Sequence, residues 1–333
     1  MIGQFRSSHP LNILWLVIIT ILLRVPFALN WQLEASQPFL QLLQNLLIPH
    51  QYYSNLTFFG NITLTAFLIF IQAFLFNLIV NKHNLLGKQT YLPALLYVIF
   101  CSLLVPFLTL SLPLVCNFFM LYIFNKLLQI YKQPDAIAPL FDIGLVIAVA
   151  TIIYYPLAFL MIFGWACLIV LRPFYWREWL SSLIAFTTIM FFLAVYFYYH
   201  QNLGVFINMW QPFKTPINFF DNLNLNQFWV LIPLTIIILL GLFKLGGNFF
   251  KSFVLVRKGF IILLFMFLVL SVSFYLNPNF PINHFILLAI PIAFLMAYFF
   301  LNAKRKWIYE SLFLAFLATI IYFQVAIQLN FKF

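Results

Sequence analysis

The chain has 333 residues, a formal net charge of +11, 65% hydrophobic residues and 7% charged residues, and its mean hydropathy is +1.05. Soluble globular chains are about 45–50% apolar and about 25% charged, so a soluble core is excluded and the class is an all-α polytopic membrane protein. The positive charge would suggest nucleic acid in a soluble chain. Here it resides in lysines and arginines of short loops between apolar runs, so no nucleic-acid partner is expected.

In chain order, apolar runs of about the length needed to cross some 30 Å of hydrocarbon predict eleven transmembrane helices, near 11–29, 57–80, 91–109, 113–130, 139–154, 156–171, 178–199, 227–243, 259–276, 284–302 and 308–330. The first run lacks a small-x-small cleavage site and carries Arg24 in its second half, so it is expected to remain as a helix. Cys101, Cys116 and Cys167 all lie within apolar runs, with no CxxC and no Cys/His cluster. They read as small core residues rather than as disulfide or metal-binding cysteines.

The first outer loop, 30–56, contains SQPFLQLLQNLLIPHQYYSN. Phe39, Leu40, Leu43, Leu46 and Leu47 form a helical stripe, Ser36 and Pro38 start it, and Pro49 stops it. At about a dozen residues this amphipathic helix cannot span, and it is expected to lie flat in the interface.

The run 139–171, PLFDIGLVIAVATIIYYPLAFLMIFGWACLIVL, reads as a short helical hairpin rather than one long span. Pro156 lacks an N–H and pushes Tyr155 out of helical geometry. Topology favours the hairpin too. With the N-terminus inside and a hairpin here, 14 of the 17 basic residues fall on the cytoplasmic side; Arg24, Lys214 and Lys332 do not. Each arm has 16 residues, or about 24 Å of helix. The Tyr154–Tyr155 tip is therefore expected below the outer surface, buried in protein or lining a cavity.

The second outer loop, 200–226, brings His200, Lys214 and Asp221. The whole of 1–333 is expected as a single transmembrane domain with short loops and no Walker or GxGxxG motif.

Several polar residues stand out in so apolar a chain. Arg24 is either an interfacial anchor or partner of Glu34, or a cation that receives a lipid phosphate. Glu34 is the acid of the first outer loop, a solvated carboxylate or a general base. His50 and Lys214 are candidate phosphate or lipid ligands, and Tyr154, Tyr155 and Asp221 candidate cavity-lining residues. Asp142 is expected to be neutralised by Lys132 or Arg172, and Arg177–Glu178 to form a boundary ion pair. No span carries an ionisable group near its middle, which argues against an ion-coupled transporter.

Three features together carry a family resemblance: an acid-bearing outer loop with a flat helix after the first span, eleven spans, and the hairpin IGLVIAVATIIYYPLAFLMIF. This layout resembles the GT-C superfamily of multispanning glycosyltransferases, which use polyprenyl-phosphate-linked sugars outside the membrane. The resemblance implies catalysis by an acid of the first outer loop, here Glu34, at the extracytoplasmic face of a bacterial inner membrane. Against the family pattern, the later outer loop offers only Asp221 and no carboxy-terminal soluble domain follows. The stretch LRPFYWREWL is also similar to one in a bacterial family of small polytopic inner-membrane proteins, which brings no activity with it. The expected partners are membrane lipids, a polyprenyl-phosphate carrier and a membrane-protein partner; the sequence leaves the cofactor open. A non-enzymatic scaffold of a cell-envelope complex and a lipid transporter are the alternative functions.

Overall fold

The computed structural model describes residues 2–28, 58–131, 133–209, 228–276 and 282–328. Among these residues there are helices, 3-10 turns and no strand. In chain order the helices are α1 (Ile2–Phe5), α2 (Leu11–Leu22), α3 (Val25–Ala28), α4 (Phe58–Lys82), α5 (Leu92–Phe100), α6 (Leu112–Ile130) and α7 (Ile137–Ile153). There follow α8 (Leu160–Leu171), α9 (Trp176–Tyr199), α10 (Leu203–Met209), α11 (Phe228–Asn248), α12 (Val254–Ser273), α13 (Ala289–Asn302) and α14 (Lys306–Gln328).

Seven helices among the described residues are long and apolar enough to cross a membrane: Leu11–Ala28, Phe58–Lys82, Leu112–Ile130, Trp176–Tyr199, Leu231–Lys251, Val254–Ser273 and Ile282–Asn302. Ile137–Ile153 and Tyr155–Leu171 are shorter apolar helices. The run 91–109 is not one continuous helix. It stops at Phe100, turns through 101–104, and resumes as a 3-10 turn over Val105–Leu108, where Pro106 cannot donate an α-helical hydrogen bond. The segment 284–302 also begins differently from a plain helix, with a 3-10 stretch over Ile282–Leu288 before α13.

The chain forms two compact units: residues 1–115, 222–257 and 289–333, and residues 116–221 and 258–288. In the first unit α5 packs on α13 and on α4, and α11 lies against α13 and α14. The α11–α13 approach depends on Gly241, where a Cβ would come within 2.8 Å of the Leu295 carbonyl oxygen. Such small-residue contacts are how apolar helices associate when lipid offers no hydrophobic driving force.

The same unit buries polar ties between its helices. Tyr97 donates to Gln72 Oε1 at 2.9 Å, and Gln72 Nε2 donates to the Leu114 carbonyl at 2.7 Å. At one end, Arg6 donates to the Phe300 and Ala303 carbonyls and lies 4.0 Å from the centre of the Tyr309 ring.

In the second unit α7 packs along nearly its whole length on α9. The two start at the same end: Ser181 Oγ donates to the Ile137 carbonyl at 2.7 Å, and Gly144 faces Ser182 and Ala185. A Cβ at Gly144 would collide with the Ser182 carbonyl oxygen and come within 2.9 Å of Ala185 Cβ, so only glycine admits this contact.

Between α7 and α8 the helix ends at Tyr154, which is extended (φ −142°, ψ 99°), and Tyr155–Phe159 continue as a 3-10 turn. Arg172, just after α8, donates to the carbonyls of Gln133 (2.8 Å) and Pro134 (2.9 Å) just before α7. The two ends of the 137–171 segment are therefore joined.

Candidate functional site

Three buried polar centres stand out: Arg24 in the first unit, and Arg172 and His284 in the second.

Arg24 follows directly on α2 and is 3% exposed. Arg6 lies before α2 and Arg24 after it, so they mark opposite ends of this helix. Its burial rules out an anchor reaching into lipid headgroups. Nη1 donates to the Thr20 carbonyl at 2.8 Å, one of the last carbonyls of α2. The guanidinium lies within electrostatic reach of Cys101, the residue that caps the C-terminus of α5.

The C-terminus of α2 thus directs partial negative charge at this cation, which offsets part of the cost of burying it. It does not satisfy all of the guanidinium's donors. Among the described residues Nε and Nη2 have no hydrogen-bond partner. A buried charge with open donors costs several kcal/mol unless an anion or acceptor completes it.

The surroundings of Arg24 are built from irregular backbone. Between α5 and α6 the chain from Cys101 to Ser111 is mostly buried. Non-helical backbone at membrane depth persists only where protein or a wet cavity satisfies it. Here side chains do so: Gln324 Nε2 donates to the Ser102 carbonyl at 2.9 Å, and Asn61 Oδ1 accepts the Leu110 N–H at 2.8 Å. Gln324 Oε1 and Ser111 Oγ are buried and, among the described residues, unpaired. Among the described residues the first unit therefore holds spare donors on Arg24 and a spare acceptor on Gln324.

Arg172 is satisfied instead. Besides the two loop carbonyls it pairs with Glu178 Oε1 at 3.1 Å, both side chains being buried. The boundary pair expected within Arg177–Glu178 is thus made by Arg172, because Arg172 reaches Glu178 from the end of α8 while Arg177 turns outward over the Trp176 ring. Asp142 pairs with Lys126 at 3.0 Å, not with Arg172. Lys126 lies on α6, and its ammonium also lies 5.5 Å from the Tyr122 ring centre.

Tyr154 is buried, and its hydroxyl lies 2.8 Å from Nδ1 of His284, itself fully buried. His284 Nε2 lies 3.1 Å from the Leu270 carbonyl and 3.2 Å from Ser273 Oγ. A carbonyl only accepts, so Nε2 carries a proton, and in the neutral ring Nδ1 then accepts from the Tyr154 hydroxyl. This lock joins the tip of the 137–171 segment to the end of α12 and to the 282–288 stretch. Tyr155, the next residue, is half-buried. Sequence reading placed Tyr154 at a tip but missed His284, which sits 130 residues away in what reads as an ordinary apolar helix start. Glu34, His50, Lys214 and Asp221 lie outside the described residues.

Fold and sites together define a multi-pass helical membrane protein with a buried, incompletely paired arginine at one end of its first long helix. No family model, curated protein or solved structure matches the chain.

Proposed function

We propose that the chain is a GT-C-like glycosyltransferase, or glycan-joining enzyme, of the bacterial inner membrane that uses a polyprenyl-phosphate-linked sugar at the extracytoplasmic face. The observation supporting this reading is Arg24, a buried guanidinium whose Nε and Nη2 have no partner among the described residues. A phosphate oxygen pair matches a guanidinium fork, which is why arginine is the residue suited to such groups.

In this reading the chain crosses the membrane eleven times with its N-terminus in the cytoplasm, and the Arg6 end of α2 faces inward under the positive-inside rule. Arg24 then lies toward the outer face. It holds the lipid phosphate, with His50 and Lys214 as further phosphate ligands and Asp221 at the mouth of the site. Glu34, ten residues on, takes the proton from the acceptor hydroxyl as that oxygen attacks the anomeric carbon and the carrier phosphate leaves.

The test is a strain carrying Glu34→Gln as its sole copy, compared with wild type and with a deletion, by profiling surface glycans. Loss of one glycan in both the deletion and the variant, at normal protein level, is the expected result. A deletion phenotype fully rescued by Glu34→Gln removes the base assignment and favours a non-catalytic scaffold of an envelope complex. A deletion without any glycan change contradicts the enzyme altogether.

A further inference from the structure

The second unit carries a cleft of about 350 Å³ at the end where α7 and α9 begin. It is lined by the loop before α7, with Asp135, and by the segment entering α9, with Tyr175, Trp176 and Arg177. Its inner charges are spent on the fold, since Arg172 and Glu178 bind each other and Arg172 also ties the loop carbonyls.

Two charges remain. Arg177 is exposed, stands over the Trp176 ring at 5.8 Å and, among the described residues, makes no ion pair. Asp135 is exposed and uses one carboxylate oxygen to accept the Ile137 N–H at 3.0 Å; among the described residues the other oxygen has no partner. The cleft therefore offers one cation and one anion, from the two loops that line it.

We infer that this cleft binds the headgroup of a zwitterionic aminophospholipid, with its phosphate on Arg177 and its primary ammonium on Asp135. The balance of charge decides the class. A purely anionic headgroup would gain Arg177 but face Asp135, whereas a headgroup carrying both a phosphate and an ammonium complements both charges. A quaternary ammonium lacks the N–H that Asp135 can accept, so a primary amine fits better than choline.

The position fits a lipid rather than a soluble molecule. Phe174, Tyr175 and Trp176 are all more than half exposed at the start of a helix long enough to span, as interfacial aromatics are. Trp176, Leu180 and Ile184 are exposed at intervals of four, a stripe along which an acyl chain can lie as it leaves the cleft. The inference does not depend on the glycosyltransferase reading or on orientation.

The full-length protein in detergent micelles, with phosphatidylethanolamine, phosphatidylglycerol or phosphatidylcholine titrated in, tests it by native mass spectrometry of retained lipid. Soluble phosphoethanolamine serves as a separate arm. Exposed charge contacts are worth at most about 1 kcal/mol each, so phosphatidylethanolamine should be preferred by up to about fivefold per contact. Asp135→Asn keeps the acceptor for the Ile137 N–H but removes the charge, and should abolish the preference over phosphatidylglycerol. Arg177→Gln should weaken all three phospholipids together. Equal or tighter retention of phosphatidylglycerol by wild type overturns the inference, as does a preference that survives Asp135→Asn. Binding of phosphoethanolamine as tightly as the lipid would assign the cleft to a soluble molecule and likewise overturn it.

Discussion

Arg172 and Arg24 are both arginines placed just after a helix, yet the second unit completes the one and the first unit leaves the other open. Arg172 has two loop carbonyls and the Glu178 carboxylate. Arg24 has the Thr20 carbonyl and, among the described residues, no partner for Nε or Nη2. The lesson is that burial alone does not reveal purpose. A charge held by a carboxylate and by carbonyls is architecture; a buried one with donors to spare is poised for a ligand.

Substitution can break that comparison at four points. The largest effect is expected where the satisfied pair is split. Glu178→Ala leaves Arg172 buried without its counter-charge and should cost about 3–5 kcal/mol, read as a fall in unfolding midpoint in detergent or as loss of the protein from the membrane. Next comes the backbone contact beneath that pair. Gly144→Val drives a side chain into the Ser182 carbonyl, and overpacking of this kind costs about 1–3 kcal/mol or more. Reduced stability with intact membrane insertion is the expected reading.

Tyr154→Phe removes the donor to His284 Nδ1 and leaves a buried acceptor unsatisfied, at about 1–3 kcal/mol. The additional Ser273→Ala change should cost less in that background than alone, because the two residues hold one ring. Arg24→Met is expected to have the smallest effect on stability, within about 1 kcal/mol of wild type or on the stabilising side, since it removes a buried charge that has little to hold. A loss as large as that of Glu178→Ala would mean that Arg24 is structural too.

Much of this was legible in the sequence, for reasons that differ by element. Composition fixed the class, because 65% hydrophobic content leaves no soluble solution. Pro156 announced the break that the structure places at Tyr154, and the free cysteines are buried as their apolar settings implied. Local signals failed where distant residues decide. Pro106 was present in the 91–109 run, yet its apolar length reads as one helix; the break survives because Gln324, over two hundred residues on, satisfies Ser102. Asp142 has several basic residues near in sequence, and only packing selects Lys126. Arg24 was noticed for its charge, but its burial is set by packing that no local pattern announces.

The most direct test of the central claim is a thermal-unfolding titration of the purified wild type and Arg24→Met with a polyprenyl phosphate and with the matching neutral polyprenol. The account predicts that the phosphate raises the wild-type midpoint, that the polyprenol does not, and that Arg24→Met loses the response while remaining folded. An equal rise in wild type and Arg24→Met, or an equal response to the neutral polyprenol, would contradict it.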